Sequence, residues 1–223
     1  MKKKLISFIL SVVMIFGLTA CGQTEDNTDA QADQSTSADD GSTQTDQPAA
    51  DSAGDDPAAG GAAGDSDVMI AYFSWSGNTA DMAEYIQEQT GGDLFEIQPV
   101  EPYPEDYNEC GDVALAERDS NARPEIQNPP ESLEGYDTLF IGYPIWWHTA
   151  PMIIGTFLES YDLSGVDVYP FTQSASMDTE QFDNSMEFVR QSAGNAEVHD
   201  GLFADESDTE GIRTYLNENG FGE

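Results

Sequence analysis

The stretch Val68–Thr79, VMIAYFSWSGNT, constrains this chain more than any other. Six apolar residues, Val68 to Phe73, run without a break, which suits a central parallel strand buried on both faces. The run stops at Ser74-Trp75-Ser76-Gly77-Asn78-Thr79, and Met82, Tyr85, Ile86 and Gln89 then recur at helical spacing. Strand, hydroxyl-rich turn and helix together make an anion cradle. The first N–H groups of the helix lack internal acceptors, and the helix dipole favours negative charge there. A triphosphate-binding loop needs GxxxxGK[ST], but every lysine lies at positions 2–4. A dinucleotide fingerprint needs three spaced glycines, and this turn has only Gly77. Two readings of the turn remain: a cradle for a small phosphate monoester, and a plain polar turn capping a helix.

Charge narrows the partners. Of 43 acidic residues, 12 lie in residues 22–67, which leaves 31 for residues 68–223 against four arginines, a net charge of −27. Nucleic-acid binding, which requires phosphates to be neutralised by Lys and Arg, is excluded. Arg118 and Arg123, rare cations in this acidic field, are expected in structural ion pairs. No spacing singles out a hydrolytic carboxylate pair. Cys110, His148 and His199 are the soft ligands of the domain, and no motif gathers them into a metal set.

The first 67 residues read as a tether. Lys2–Lys4 and the apolar run from Leu5 to Ala20 have the layout of an export signal, residues 1–20. Leu18-Thr19-Ala20-Cys21 resembles the lipobox of bacterial lipoproteins, which implies cleavage before Cys21 and lipidation of its sulfur. More than one acyl chain anchors stably where a single chain does not. Residues 22–67 contain no aromatic residue and no Leu, Ile or Val, so they cannot bury a core and are expected to be disordered. As a flexible coil they would reach on the order of 35–40 Å. Residues 21–67 thus form a spacer holding residues 68–223 off the outer face of the cell membrane. Cys110, the second cysteine, falls at helical spacing with Tyr107 and Ala114 and reads as a buried structural thiol.

Within residues 68–223, strands are expected at 68–73, 93–98, 136–143, 166–171 and 196–201. Helices are expected after the first turn and at 105–119, 150–161, 178–192 and 207–219, the last with Ser207 as its cap. Pro151 suits a first helical turn. The alternation predicts a doubly wound α/β domain with a five-stranded parallel sheet, order 2-1-3-4-5. Ligands of such a sheet sit beyond its carboxyl edge, where the loops after strands one, three and four converge. The third-strand loop is Pro144-Ile145-Trp146-Trp147-His148, whose paired Trp rings suit a flat aromatic ligand. The fourth-strand loop, Thr172-Gln173-Ser174-Ala175-Ser176, suits the edge of a heterocycle. A phosphate cradle, an aromatic wall and a polar edge describe a phosphorylated flat heterocycle, and flavin mononucleotide (FMN) fits.

Residues 68–223 also resemble the flavodoxins. The resemblance rests on YFSWSGNT, the Gly-Asp-Leu-Phe-Glu-Ile strand, EPYPEDYNEC, ARPEI, FIGYPIWW with Ala150-Pro151 following, and Tyr-Asp-Leu-Ser-Gly before the fourth strand. It implies the flavodoxin fold and non-covalent FMN. It implies that Ser74, Ser76, Gly77, Asn78 and Thr79 hold the phosphate, that Trp75 between them also binds the cofactor, that Pro144, Ile145, Trp146 and Trp147 lie along the flavin, and that Thr172 to Ser176 lie along its pyrimidine edge. The last loop departs from the usual Thr-Ser-Gly-Gly-Ser, with both glycines replaced, which implies a less close backbone approach and weaker affinity. His148 stands where a small residue is usual. The expected role is electron transfer to or from a redox partner protein or small acceptor. The rival expectations are an FMN-dependent NAD(P)H:quinone-type reductase and a binding module that has lost FMN.

Overall fold

The computed structural model describes residues 66–222, so the expectations for the signal segment, Cys21 and most of the linker lie outside the described residues. Six strands and five helices alternate, except that the fifth and sixth strands follow one another directly. They are β1 (Val68–Tyr72), α1 (Asn78–Thr90), β2 (Asp93–Glu96), α2 (Tyr107–Ser120), β3 (Thr138–Pro144), α3 (Met152–Glu159), β4 (Asp167–Gln173), α4 (Thr179–Ser192), β5 (Glu197–Val198), β6 (Leu202–Phe203) and α5 (Thr209–Glu218). The sheet order is β2-β1-β3-β4-β5, with β6 also paired to β4, and every pairing within it is parallel. This is the expected doubly wound architecture with one strand more than expected.

The unbroken apolar run of β1 follows from its central place. Met69, Ala71 and Phe73 enter one core with Ile153, Ile154 and Phe157 of α3 and Val189 of α4. Val68, Ile70 and Tyr72 enter the other, with Met82 and Ile86 of α1 and Ile212 and Leu216 of α5. Side chains alternate faces along a strand, so a strand covered on both sides is apolar at every position.

Two boundaries move for identifiable reasons. The expected fifth strand, 196–201, is instead β5 and β6, which pair Val168↔Val198 and Phe171↔Leu202. Three residues of the edge strand therefore stand opposite two of β4, which is a bulge. His199 N–H donates to Val168 O at 2.9 Å, so Val168 faces this edge. The next ladder donor on that side would be residue 170, and Pro170 has no N–H to give. The second shift lies at the end of β4, which continues through Thr172 and Gln173 in register with Tyr143 and Pro144. Asp208, not Ser207, caps α5 by accepting from the Gly211 N–H. Asp106 and Asp178 cap α2 and α4 in the same way. Among the described residues no helix is long and apolar enough to cross a membrane.

Candidate functional site

The loop after β1 is built around one hydroxyl. Ser74 Oγ accepts the N–H of Gly77 at 3.2 Å and that of Ala80 at 3.3 Å, which occupies both lone pairs and leaves its hydrogen to donate elsewhere. Gly77 turns the chain into α1 at φ 96°, a left-handed conformation that costs glycine little. Thr79 follows in the first turn of α1. It is only 1% exposed, and its Oγ1 has no hydrogen-bond partner. A buried hydroxyl left unpaired is costly, and its place at a helix N-terminus is where an anion is favoured. No Lys or Arg lies between residues 66 and 117, so donors in this loop are neutral.

The loop after β3 separates its two tryptophans. Trp146 and Thr149 exchange backbone hydrogen bonds of 2.9 and 3.0 Å around Trp147 and His148, which stand at φ 47° and 66°. Two left-handed residues in succession make a type I′ turn, a conformation that disfavours any residue carrying a Cβ. Trp146 points inward, edge-on to Phe73 at 5.2 Å and to Tyr103 at 5.1 Å. Trp147 leans instead on α2. Its indole N–H donates to Gly111 O at 2.8 Å, and Arg118 donates to its carbonyl at 3.2 Å with the guanidinium 5.8 Å from the ring centre. The expected ion pairs form, Arg118 with Asp119 at 2.7 Å and Arg123 with Glu159 at 2.6 Å, but Arg118 also clips this turn to α2.

The loop after β4 is shorter than its sequence implied. Thr172 is fully buried, and its hydroxyl donates to Tyr143 O. Gln173 is buried too, and its carbonyl accepts from the Ile145 N–H at 3.2 Å. The free part is Ser174-Ala175-Ser176, where Ser174 Oγ accepts from the Ser176 N–H.

These loops enclose a cavity of about 510 Å³. Of the sequence-predicted residues, Trp75, Ile145, Trp146, Trp147 and Ser174 to Ser176 line it. Ser74, Ser76, Gly77, Asn78 and Thr79 form the cradle outside the lining, and Pro144, Thr172 and Gln173 lie within strands. Trp75 belongs to both parts, its indole N–H tied to Pro104 O at 3.0 Å. The remaining wall is mostly α2, through Tyr107, Cys110, Gly111 and Asp112, none of them among the residues expected from the sequence, with His148, and Gln181 of α4, completing it. A signal was present: Gly111 interrupts a helical pattern, and its bare carbonyl face receives Trp147. Cys110 is buried as expected, and burial, then the charge of Glu117, pushes its thiol up, away from the reactive thiolate.

The flavodoxin family model matches residues 67–219. A protein from Bacteroides eggerthii classed as a flavoprotein is 35% identical, with a TM-score of 0.61 over 68% of this chain and 96% of its own. A second, from Bacteroides uniformis, is 32% identical, with a TM-score of 0.60 over 67% and 97%. A Lactobacillus acidophilus flavoprotein in complex with FMN is 28% identical, with a TM-score of 0.54 over 64% of this chain and 95% of its own. No curated protein matches. Fold and family agree: the chain belongs to the flavodoxin family.

Proposed function

We propose that the chain binds FMN and carries electrons, tethered through Cys21 to the outer face of a bacterial cytoplasmic membrane. The observation that carries the cofactor assignment is the buried, unpartnered Oγ1 of Thr79 at the start of α1. A phosphate accepting from the Thr79 and Ser74 hydroxyls and from the N–H groups of Asn78 and Thr79 would satisfy donors left over once Ala80 has bonded to Ser74 Oγ. The aromatic cavity that meets this cradle at Trp75 suits a flat ring system. When bound, FMN supplies redox chemistry that the side chains lack. The chain's own part is to position that group, with Trp147 held by Gly111 and Arg118, and to leave one edge open to a partner.

Two features favour a carrier over a self-sufficient NAD(P)H reductase. The cavity lining holds no Lys or Arg to meet the phosphates of a nicotinamide dinucleotide, and it holds the carboxylate Asp112. Its rim exposes Tyr107 at 78% and Trp147 at 43%, an apolar edge suited to brief contact with another protein. Export and tethering are supported by Lys2–Lys4, the apolar run and Leu18–Cys21. The test mixes the FMN-loaded chain with NADH or NADPH without oxygen. A carrier keeps its flavin absorbance until a reductase protein is added, whereas direct bleaching by the nucleotide makes the chain a reductase.

A further inference from the structure

The opposite end of β4 gathers a second set of chemically capable side chains. Asp167 opens β4 and Glu197 opens β5, and the two are direct register partners. His199 lies two residues beyond Glu197, on the same side by strand alternation, and its Nε2 is 2.8 Å from Asp167 Oδ1. One ligand atom from each of the three lies within 4.8 Å of the other two. Carboxylates facing each other across a ladder repel, and no Arg ion pair reaches either of them among the described residues. The imidazole is held in place, stacked on Tyr169 at 4.3 Å and 3° and anchored by its backbone bond to Val168.

We propose that Asp167, Glu197 and His199 bind a divalent transition metal such as Zn²⁺, with water completing the coordination. Metal–ligand bonds of about 2.0–2.2 Å place such atoms up to roughly 4 Å apart, so small rotations of the two partly exposed carboxylates complete the set. One imidazole nitrogen beside two oxygens suits Zn²⁺ better than the oxygen-seeking Mg²⁺ and Ca²⁺. The six-residue advance from Asp167 to Gln173 puts the ion roughly 20 Å from the flavin end of the sheet. Its role is therefore structural: it pins the two-residue β5, isolated by the bulge opposite Pro170, to β4. This holds whether or not the chain binds FMN.

The test is calorimetric titration of the purified chain with ZnCl₂. One saturable site is expected, weakened at least roughly tenfold by H199Q and by D167N. Removing a charge elsewhere, by E88Q on the exposed face of α1, leaves it unchanged. Binding that never saturates, or that survives H199Q and D167N, overturns the assignment. Mn²⁺ line broadening in amide NMR spectra of the native chain gives an answer that needs no variant. Broadening centred on residues 167–169 and 197–199 supports the site; broadening spread over the acidic surface, or centred on Cys110 and His148, refutes it.

Discussion

Thr79 is the residue at which folding and the proposed FMN binding pull in opposite directions. Its hydroxyl is buried without a partner, which costs the folded chain about 1–3 kcal/mol. Valine has nearly the same shape and no polar atom. T79V is therefore expected to raise the melting temperature of the FMN-free chain. It is also expected to weaken FMN binding about tenfold or more, because a hydrogen bond to a charged group is worth about 1.5–3 kcal/mol. Thermal melts with and without FMN measure both signs, and a T79V chain that melts lower while binding FMN as before would contradict this role. His148 is a different kind of residue. It stands at φ 66° in a two-residue turn and lines the cavity, so its place is set by backbone geometry that glycine would adopt more easily.

At the scale of elements, α2 has two attachments that respond oppositely to pH. Arg123, just beyond α2, donates twice to Glu159 at the end of α3, at 2.8 and 2.6 Å. That hydrogen bonding holds the Glu159 carboxyl below its ordinary value, so the pair stabilises above the ordinary carboxylate range and is lost as pH falls through the lowered value. Glu159 is 43% exposed, solvent screens the pair, and E159Q should cost only about 0.5–1 kcal/mol at neutral pH and nothing in strong acid. Glu117 is the reverse. Burial raises its carboxyl, against the opposing hydrogen bond from Tyr103, so stability falls as pH rises from the ordinary glutamate range through the raised value. E117Q keeps an acceptor for Tyr103 and should flatten that fall; urea midpoints measured across pH separate the two variants. The strands and helices themselves were legible from apolar runs, caps and proline, and so was the convergence of three loops. The α2 wall was not, because its contribution rests on Gly111 meeting Trp147 across 36 residues. Nor was the partition of Trp146 from Trp147, because adjacent residues in a left-handed turn diverge in a way no linear pattern records. Thr172 and Gln173 read as loop because they are polar, yet Thr172 is buried by bonding to Tyr143 O. His199 and Asp167 meet only through strand pairing, 32 residues apart in sequence.

For the whole molecule, the proposed FMN site would have its redox behaviour set by charge. Residues 68–223 carry −27, and each electron delivered to the site adds to that field. The midpoint potential of the FMN-loaded chain should be low and should become less negative as salt rises, since the Debye length shrinks from about 10 Å at 0.1 M to about 3 Å at 1 M. A potential that ignores salt would remove this electrostatic account. In the proposed carrier role, the same charge would favour a cationic partner at the exposed Tyr107 and Trp147 edge and slow an anionic one. All of this rests on the cradle and the cavity together holding FMN, and a visible spectrum tests that most directly. The purified chain is mixed with FMN and passed through gel filtration. Flavin absorption bands that travel with the protein are the predicted result; a colourless protein that leaves all added FMN behind would contradict the assignment.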